Sequence, residues 1–227
     1  MDEANELLKK GQLDEAIESY GLIVKDGYIG YELFFNLATA YSKKGDISNS
    51  ILNFEKALRI KPTSTLTKQQ LEQLNLKLRD KPSIYKDDGF LGFFDKLQFA
   101  LSVDAWAILS ICLMLLVSLV IWVSYKFQHL KSRKLIFSSC IFWFLLSCIS
   151  FFICRNCYQY KYLQQEAIIF PESIKVFDQP DLNSTILFNL HQGTKVEILN
   201  KTSNMYFVQY AEKKGWINMK DVQKIEL

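Results

Sequence analysis

The chain has 227 residues, 49% of them hydrophobic, and a formal net charge of +3. Acidic and basic residues nearly balance everywhere except in the loop 124–135, which carries four basic and no acidic side chains, so the composition excludes the broad basic surface of a nucleic-acid-binding domain. The five cysteines lie in or beside two apolar runs, which excludes a secreted scaffold held by disulfides through its soluble parts.

Residues 1–80 contain a sequence pattern that recurs after 34 residues. The matching positions are Leu7, Gly11, Ala16, Tyr20 and Ile23 in the first copy and Tyr41, Gly45, Ser50, Phe54 and Ala57 in the second. This spacing is typical of the tetratricopeptide repeat, a pair of antiparallel helices, and the second copy at residues 31–64 resembles that family across its full length. A third, capping helix is expected over residues 63–79. We therefore predict an all-α repeat domain of five helices with a concave groove.

Two features of this domain leave alternatives open. Two repeats are few for independent stability, so we expect them to pack on the membrane hairpin described below or on a partner. The first repeat also lacks three residues of its first helix, because Met1 falls inside the predicted helix. Either residues upstream, such as a secretion signal, are missing from this sequence, or the helix is simply short.

The groove is the first candidate site, because in this family the first helix of each repeat lines the concave face. The polar residues at those positions are Asn5, Lys9, Asn36, Thr39, Lys43 and Gln73. Asn5 and Asn36 match positions that hold peptide backbone in carboxylate-clamp members of the family. Leu66 and Gln70 replace the basic residues of the clamp, so capture of a C-terminal carboxylate is not expected. The alternative is a solvated groove without a specific ligand.

Residues 81–104 form a linker with an amphipathic segment. Its apolar residues recur at helical spacing: Phe90, Leu91, Phe94, Leu97 and Leu101. The spacing predicts a short helix lying at a membrane interface. The alternative is a helix that caps the repeat domain.

Residues 105–154 contain two uncharged runs, Ala105–Val123 and Leu135–Cys154, of 19 and 20 residues. Each is long enough to cross the hydrocarbon core of a bilayer, which is about 30 Å thick. We predict a transmembrane helical hairpin. Neither run contains an acid or a base, which argues against an ion or proton path through it.

The loop between the two runs holds the residues expected to determine topology: Lys126, Lys131, Arg133 and Lys134. Short loops rich in lysine and arginine stay in the cytoplasm, so both soluble parts are expected in the periplasm. Moving the N-terminal domain across the membrane normally requires a signal sequence, and none is visible.

A linker over residues 155–166 leads to residues 167–227, where five or six short strands are separated by turn signals. The pattern predicts a small all-β barrel. The stretches "LFNLHQGTKVEIL" and "KKGWI" resemble bacterial SH3 domains. The first hairpin, "IKVFDQPD", lacks the arginine common in that family, so a ligand site on that hairpin is not expected.

The barrel offers a second candidate site, an aromatic ligand shelf of Tyr206, Tyr210 and Trp216; the alternative is that these residues form the core and its rim. No catalytic motif occurs in the sequence. A structural role is favoured for His191, and the pair Cys154 and Cys157 has no second half-site for a metal or redox centre. We expect no catalytic residues, no metal and no cofactor.

The order of repeat pair, interfacial segment, hairpin and SH3-like barrel, with "NLATAYSKKGDI", "AWAILSI" and "LHQGTKV", resembles the BatE-like proteins of bacterial aerotolerance (Bat) operons. The resemblance implies a non-enzymatic, two-pass inner-membrane protein. It also implies partners: von Willebrand A-domain membrane proteins and a MoxR-type ATPase.

On this reading the protein is a membrane-anchored interaction scaffold in aerotolerance or envelope stress. Its expected contacts are protein partners and the lipid bilayer, with no nucleic acid. The alternative is an envelope module whose barrel binds peptidoglycan or its stem peptides.

Overall fold

The computed structural model describes residues 1–81, 97–98, 100–126, 133–159 and 165–227. The helices are α1 (Asp2–Lys10), α2 (Leu13–Lys25), α3 (Tyr31–Lys44), α4 (Ile47–Ile60), α5 (Thr65–Asn75), α6 (Val103–Lys126) and α7 (Arg133–Tyr158). The strands are β1 (Glu166–Ile169), β2 (Ser173–Phe177), β3 (Ile186–His191), β4 (Lys195–Lys201), β5 (Met205–Tyr210), β6 (Lys213–Asn218) and β7 (Val222–Lys224). The chain forms two compact units, one of α1–α5 with the strands and one of α6 with α7.

Helices α1 to α4 form two antiparallel pairs, as the 34-residue spacing predicts. Gly11 and Gly45 end α1 and α3 with positive φ angles of 78° and 89°, a conformation that glycine adopts without steric cost. Asp46 and Ser64 begin α4 and α5, and the side chain of each accepts a hydrogen bond from a main-chain N–H in the first turn. The five predicted helices are therefore present.

The helix pairs enclose small and aromatic residues between them. Tyr20 and Phe54, at matching positions of the two repeats, are fully buried. Ala38 is also fully buried, and Ser50 donates from its Oγ to the Ala38 carbonyl at 2.9 Å, so α3 and α4 approach closely. Of the repeated positions, Ala16, Tyr20, Ser50, Phe54 and Ala57 are buried, whereas Leu7, Ile23 and Tyr41 are half-buried and the two turn glycines are exposed.

The strands form one antiparallel sheet in the order β3-β2-β6-β5-β4-β1-β7. Its core face buries Val176, Val208 and Ile217. Among the described residues the two end strands, β3 and β7, are not paired with each other, so the sheet is not closed into the barrel that the sequence predicts.

The sheet packs directly on the repeats, and we call this body, residues 1–81 and 165–227, the repeat–sheet unit. Ile168 of β1 and Ile225 belong to the same apolar cluster as Ile51 of α4 and Leu78. The Ser48 hydroxyl donates to the main-chain oxygen of Ile169 at 2.9 Å, in a fully buried contact. The sequence predicted cover from the membrane hairpin or a partner; the structure shows that the C-terminal sheet of the same chain covers the repeats.

One buried and three half-buried charged side chains cross the same contact. Lys195 of β4 lies 3.0 Å from Glu55 of α4 and 3.3 Å from Glu166 of β1, and Arg59 lies 3.5 Å from Glu166. Burial raises the pKa of Glu55, and the charge of Lys195 opposes that rise. Two carboxylates and two cations so arranged compensate one another where water is excluded.

Helices α6 and α7 form the second unit, which we call the hairpin unit. Both helices are long and apolar enough to cross a membrane, at Val103–Val123 and Ser138–Tyr158, and only 17% and 22% of these spans is buried. Small residues of α7 meet α6: the hydroxyls of Ser147 and Ser150 donate to the carbonyls of Ser110 and Trp106. Such small polar contacts are typical of helices that pack within lipid.

Gly193, in the turn between β3 and β4, provides a test of the contact between the repeats and the sheet. Its φ is +81°, and a Cβ placed there would lie 2.6 Å from the Leu78 side chain. Gly27 has a similar φ of +83° with nothing within 4 Å of such a Cβ, so Gly27→Ala is the matched control.

We predict that both alanine variants lose about 1–2 kcal/mol from left-handed backbone strain, and that Gly193→Ala loses roughly 1–3 kcal/mol more from overpacking. Urea denaturation of the purified protein in detergent measures both losses. Equal losses would contradict the close packing of this turn on Leu78.

Candidate functional site

The groove candidates lie on the first helices of the repeats, α1 and α3, and on α5. Asn5, Asn36 and Thr39 are half-buried, whereas Lys9, Lys43 and Gln73 are exposed. The two clamp positions are an exposed Leu66 and a half-buried Gln70, so they bring no positive charge to the groove.

Asn5 and Asn36 come together across α1 and α3. The Asn5 Oδ1 accepts hydrogen bonds from Asn36 Nδ2 at 2.9 Å and from the Tyr20 hydroxyl at 2.6 Å. Burial raises the pKa of Tyr20, so its hydroxyl remains a donor at neutral pH. Tyr20 thereby fixes the orientation of Asn5, which in turn orients Asn36.

This arrangement leaves one donor group and one acceptor. Within the part of the chain that the structure describes, Asn5 Nδ2 and Asn36 Oδ1 have no hydrogen-bond partner. A peptide group presents the complementary C=O and N–H. The pair can therefore bind main chain without reading a side chain.

The remaining groove candidates divide into two kinds. The Thr39 Oγ1 donates to the Phe35 carbonyl of its own helix at 2.8 Å, which satisfies its donor internally. Lys9 and Lys43 are exposed cations near the ends of α1 and α3. They can attract acidic groups of a ligand through long-range electrostatics.

The predicted aromatic shelf is divided between the two faces of the sheet. Tyr206 pairs with Ile217 in register, and Tyr206 and Tyr210 both pack against the buried core of the sheet. Trp216 pairs with Phe207, one residue out of phase with Tyr206, so it projects from the opposite face. The structure does not bring Trp216 together with the two tyrosines.

Trp216 belongs instead to a cross-strand row that sequence reasoning missed. The register places Ile186, Phe177, Trp216 and Phe207 side by side on β3, β2, β6 and β5. The rings of Phe207 and Trp216 have centroids 5.0 Å apart, and Ile186 is 46% exposed. Three strand separations of roughly 4.8 Å give this apolar row a length of about 14 Å.

His191, Cys154 and Cys157, which were considered as candidates for catalysis or for a metal or redox centre, form hydrogen bonds within the fold. His191 Nδ1 lies 3.0 Å from Asp80 Oδ1, and Asp80 Oδ2 accepts from the His191 main-chain N–H and from Thr194 Oγ1. The thiols of Cys154 and Cys157 donate to the carbonyls of Val103 and Gln98. Within the described ranges, no group of three His, Cys, Asp or Glu side chains could hold a metal ion.

Two predictions fall wholly or partly on undescribed residues. Most of the amphipathic segment is not described, although residues 97 and 98 are helical. Of the topology residues, Lys126, Arg133 and Lys134 lie at helix ends with undescribed side chains, and Lys131 is outside the described residues.

Comparison with known proteins identifies one module. Residues 31–64 match the model of the tetratricopeptide repeat family. No curated protein matches the chain. The matched residues contain α3 and α4, which form the second repeat. Repeats of this family bind other proteins along stacked helices, so the chain contains a protein-interaction module.

Proposed function

We propose that this chain is a membrane-anchored scaffold for protein–protein interactions and that it is not an enzyme. The observation that carries the proposal is the oriented amide pair of Asn5 and Asn36 on a tetratricopeptide repeat. This pair suits the main chain of a partner, and the flanking Lys9 and Lys43 suit its acidic groups. Two helices able to cross a membrane supply the anchor.

The packing of the repeats on the sheet supports a two-pass topology. Parts of one chain that share a buried core, as Ile51 and Ile168 do, cannot lie on opposite sides of a membrane. The chain between them must therefore cross an even number of times. The four basic residues of the hairpin loop favour a cytoplasmic loop and periplasmic soluble parts, in a bacterial inner membrane.

Protease treatment of spheroplasts tests this topology. We predict that protease added outside digests both the repeats and the sheet, as measured with antibodies to each part. Protection of both parts would reverse the orientation. Digestion of only one part would contradict a hairpin that returns to the same side.

The finer identity we propose is a BatE-like protein of a Bat system, acting in aerotolerance or envelope stress. The supporting observations are the element order and the arrangement of the strands, which is compatible with an SH3-like barrel that has not closed. The proposed partners are von Willebrand A-domain membrane proteins and a MoxR-type ATPase.

The groove can be tested by copurification from native membranes. We predict that Asn36→Ala together with Lys43→Ala weakens retention of a membrane partner by roughly five- to thirtyfold, since a hydrogen bond and a surface charge contribute about 1–2 kcal/mol together. Lys25→Ala, an exposed lysine on α2, is the matched control and should retain the partner. Full retention by the groove variant, with unchanged melting, would reject the groove as the binding site.

A second candidate function rests on the apolar row across the sheet. An envelope module could bind peptidoglycan or its stem peptides along Ile186, Phe177, Trp216 and Phe207, because aromatic faces accept sugar rings and extended peptides.

A pull-down on purified sacculi tests this alternative. If it holds, Ile186→Ser should reduce the bound fraction, and Leu199→Ser should not, since Leu199 is similarly exposed but lies outside the row. Absence of binding by the unaltered protein leaves the scaffold function.

A further inference from the structure

The last residues of the repeats form a basic strip on the surface. After α5, Leu78 is buried against the apolar cluster and Asp80 is bonded to His191, so alternate residues turn into the body. The residues between them, Lys77, Arg79 and Lys81, are all exposed. The alternation places three cations on one side of a short segment.

The turn between β5 and β6 extends this strip with residues from the other end of the chain. The Tyr210 hydroxyl donates to the Lys81 carbonyl at 2.7 Å. Tyr210 pairs with Lys213, which is exposed, so both side chains lie on the same face of the sheet, and the Lys213 Nζ lies 5.3 Å from the centre of the Phe188 ring. We call Leu76, Lys77, Arg79, Lys81 and Lys213 the basic patch.

The patch includes an exposed apolar side chain as well as charge. Leu76 is 70% exposed, the highest value among the exposed large apolar side chains of the described residues. The exposed carboxylates closest in sequence are Glu72 and Glu212, so the four cations exceed them, and Asp80 is occupied by His191 and Thr194. An exposed leucine next to a run of cations suits a surface with anions above hydrocarbon.

We propose that the basic patch binds the anionic headgroups of a lipid bilayer, with Leu76 inserted below them. This inference rests on the proposed membrane anchor. In the sequence, 21 residues separate Lys81 from α6, which begins at Val103 and is a candidate span, so the patch is covalently joined to that span. Tethering raises the effective concentration of lipid, and each lysine or arginine near an anionic surface then contributes.

Hydrogen exchange of the full-length protein in lipid nanodiscs tests this. The discs contain either phosphatidylcholine alone or phosphatidylcholine mixed with phosphatidylglycerol. Exchange over residues 74–81 and 211–215 should be slower in the anionic discs. The difference should disappear at about 1 M salt, where the Debye length is roughly 3 Å.

Variants assign the effect to the patch. Replacing Lys81 and Lys213 by Gln should weaken the protection by roughly fivefold for each cation. Leu76→Ser should weaken it in anionic discs without changing the melting temperature. Lys201→Gln with Lys220→Gln removes two exposed lysines of the same sheet region outside the patch and should leave protection unchanged.

Three results would overturn the proposal: equal protection in both kinds of disc, no effect of the Lys81 and Lys213 substitutions, or protection that requires an added acidic protein. If the chain does not enter nanodiscs at all, the membrane anchor of the proposed function fails. Salt-sensitive cosedimentation of the same protein with phosphatidylglycerol vesicles, compared with the Lys81 and Lys213 variant, then still decides the lipid proposal.

Discussion

The contact between α4 and the strands β1 and β7 determines how the rest of the repeat–sheet unit is arranged. Fully burying an isoleucine side chain contributes about 1.5–3 kcal/mol, and Ile51, Ile168 and Ile225 are all within 1% of complete burial. Without this contact, α4 would expose an apolar face and Glu55 would face solvent. The sheet thus stabilises a repeat array that has too few units to bury its own core. The sheet meets α4, whereas Asn5 and Asn36, residues of the proposed groove, lie on α1 and α3.

The sequence was sufficient for the elements whose signals are local. The spacing of Tyr20 and Phe54 predicted the helix pairs, and two uncharged runs predicted α6 and α7. The partner of α4 was not predictable, since an apolar helix face looks the same whether another repeat, a membrane helix or a sheet covers it. Ser48 and Ile169 meet across 121 positions of the chain, and no local pattern specifies such a pairing. The number of predicted strands likewise did not indicate that the end strands β3 and β7 would stay unpaired with each other in the described structure.

The same difference between local signals and long-range contacts applies to the two candidate sites. Asn5 and Asn36 could both be assigned to the groove from the sequence, because each lies on the first helix of a repeat. The aromatic residues of the sheet could not be assigned to one face in this way, because a shift of one residue in strand register moves a side chain to the other face. Register shifts occur between Ile198 and Asn200 and between Val176 and Phe177. Side chains alternate between the two faces along β5, so Phe207 and Tyr206 lie on opposite faces. This alternation was the only part of the arrangement that the sequence alone could indicate.

In the sequence, the hairpin lies between the repeats and the sheet, and this order affects how the protein is synthesised. The repeats leave the ribosome first, but the strands that cover α4 end at Lys224, 143 residues after Lys81. Chains are synthesised at about 5–20 residues per second, so the apolar surface of α4 stays uncovered for roughly 7–30 s. This is far longer than a helix takes to form. During that interval α6 and α7, the two candidate spans, are also synthesised. The nascent chain therefore presents an apolar helix face to its surroundings, where a chaperone can bind it before the sheet arrives.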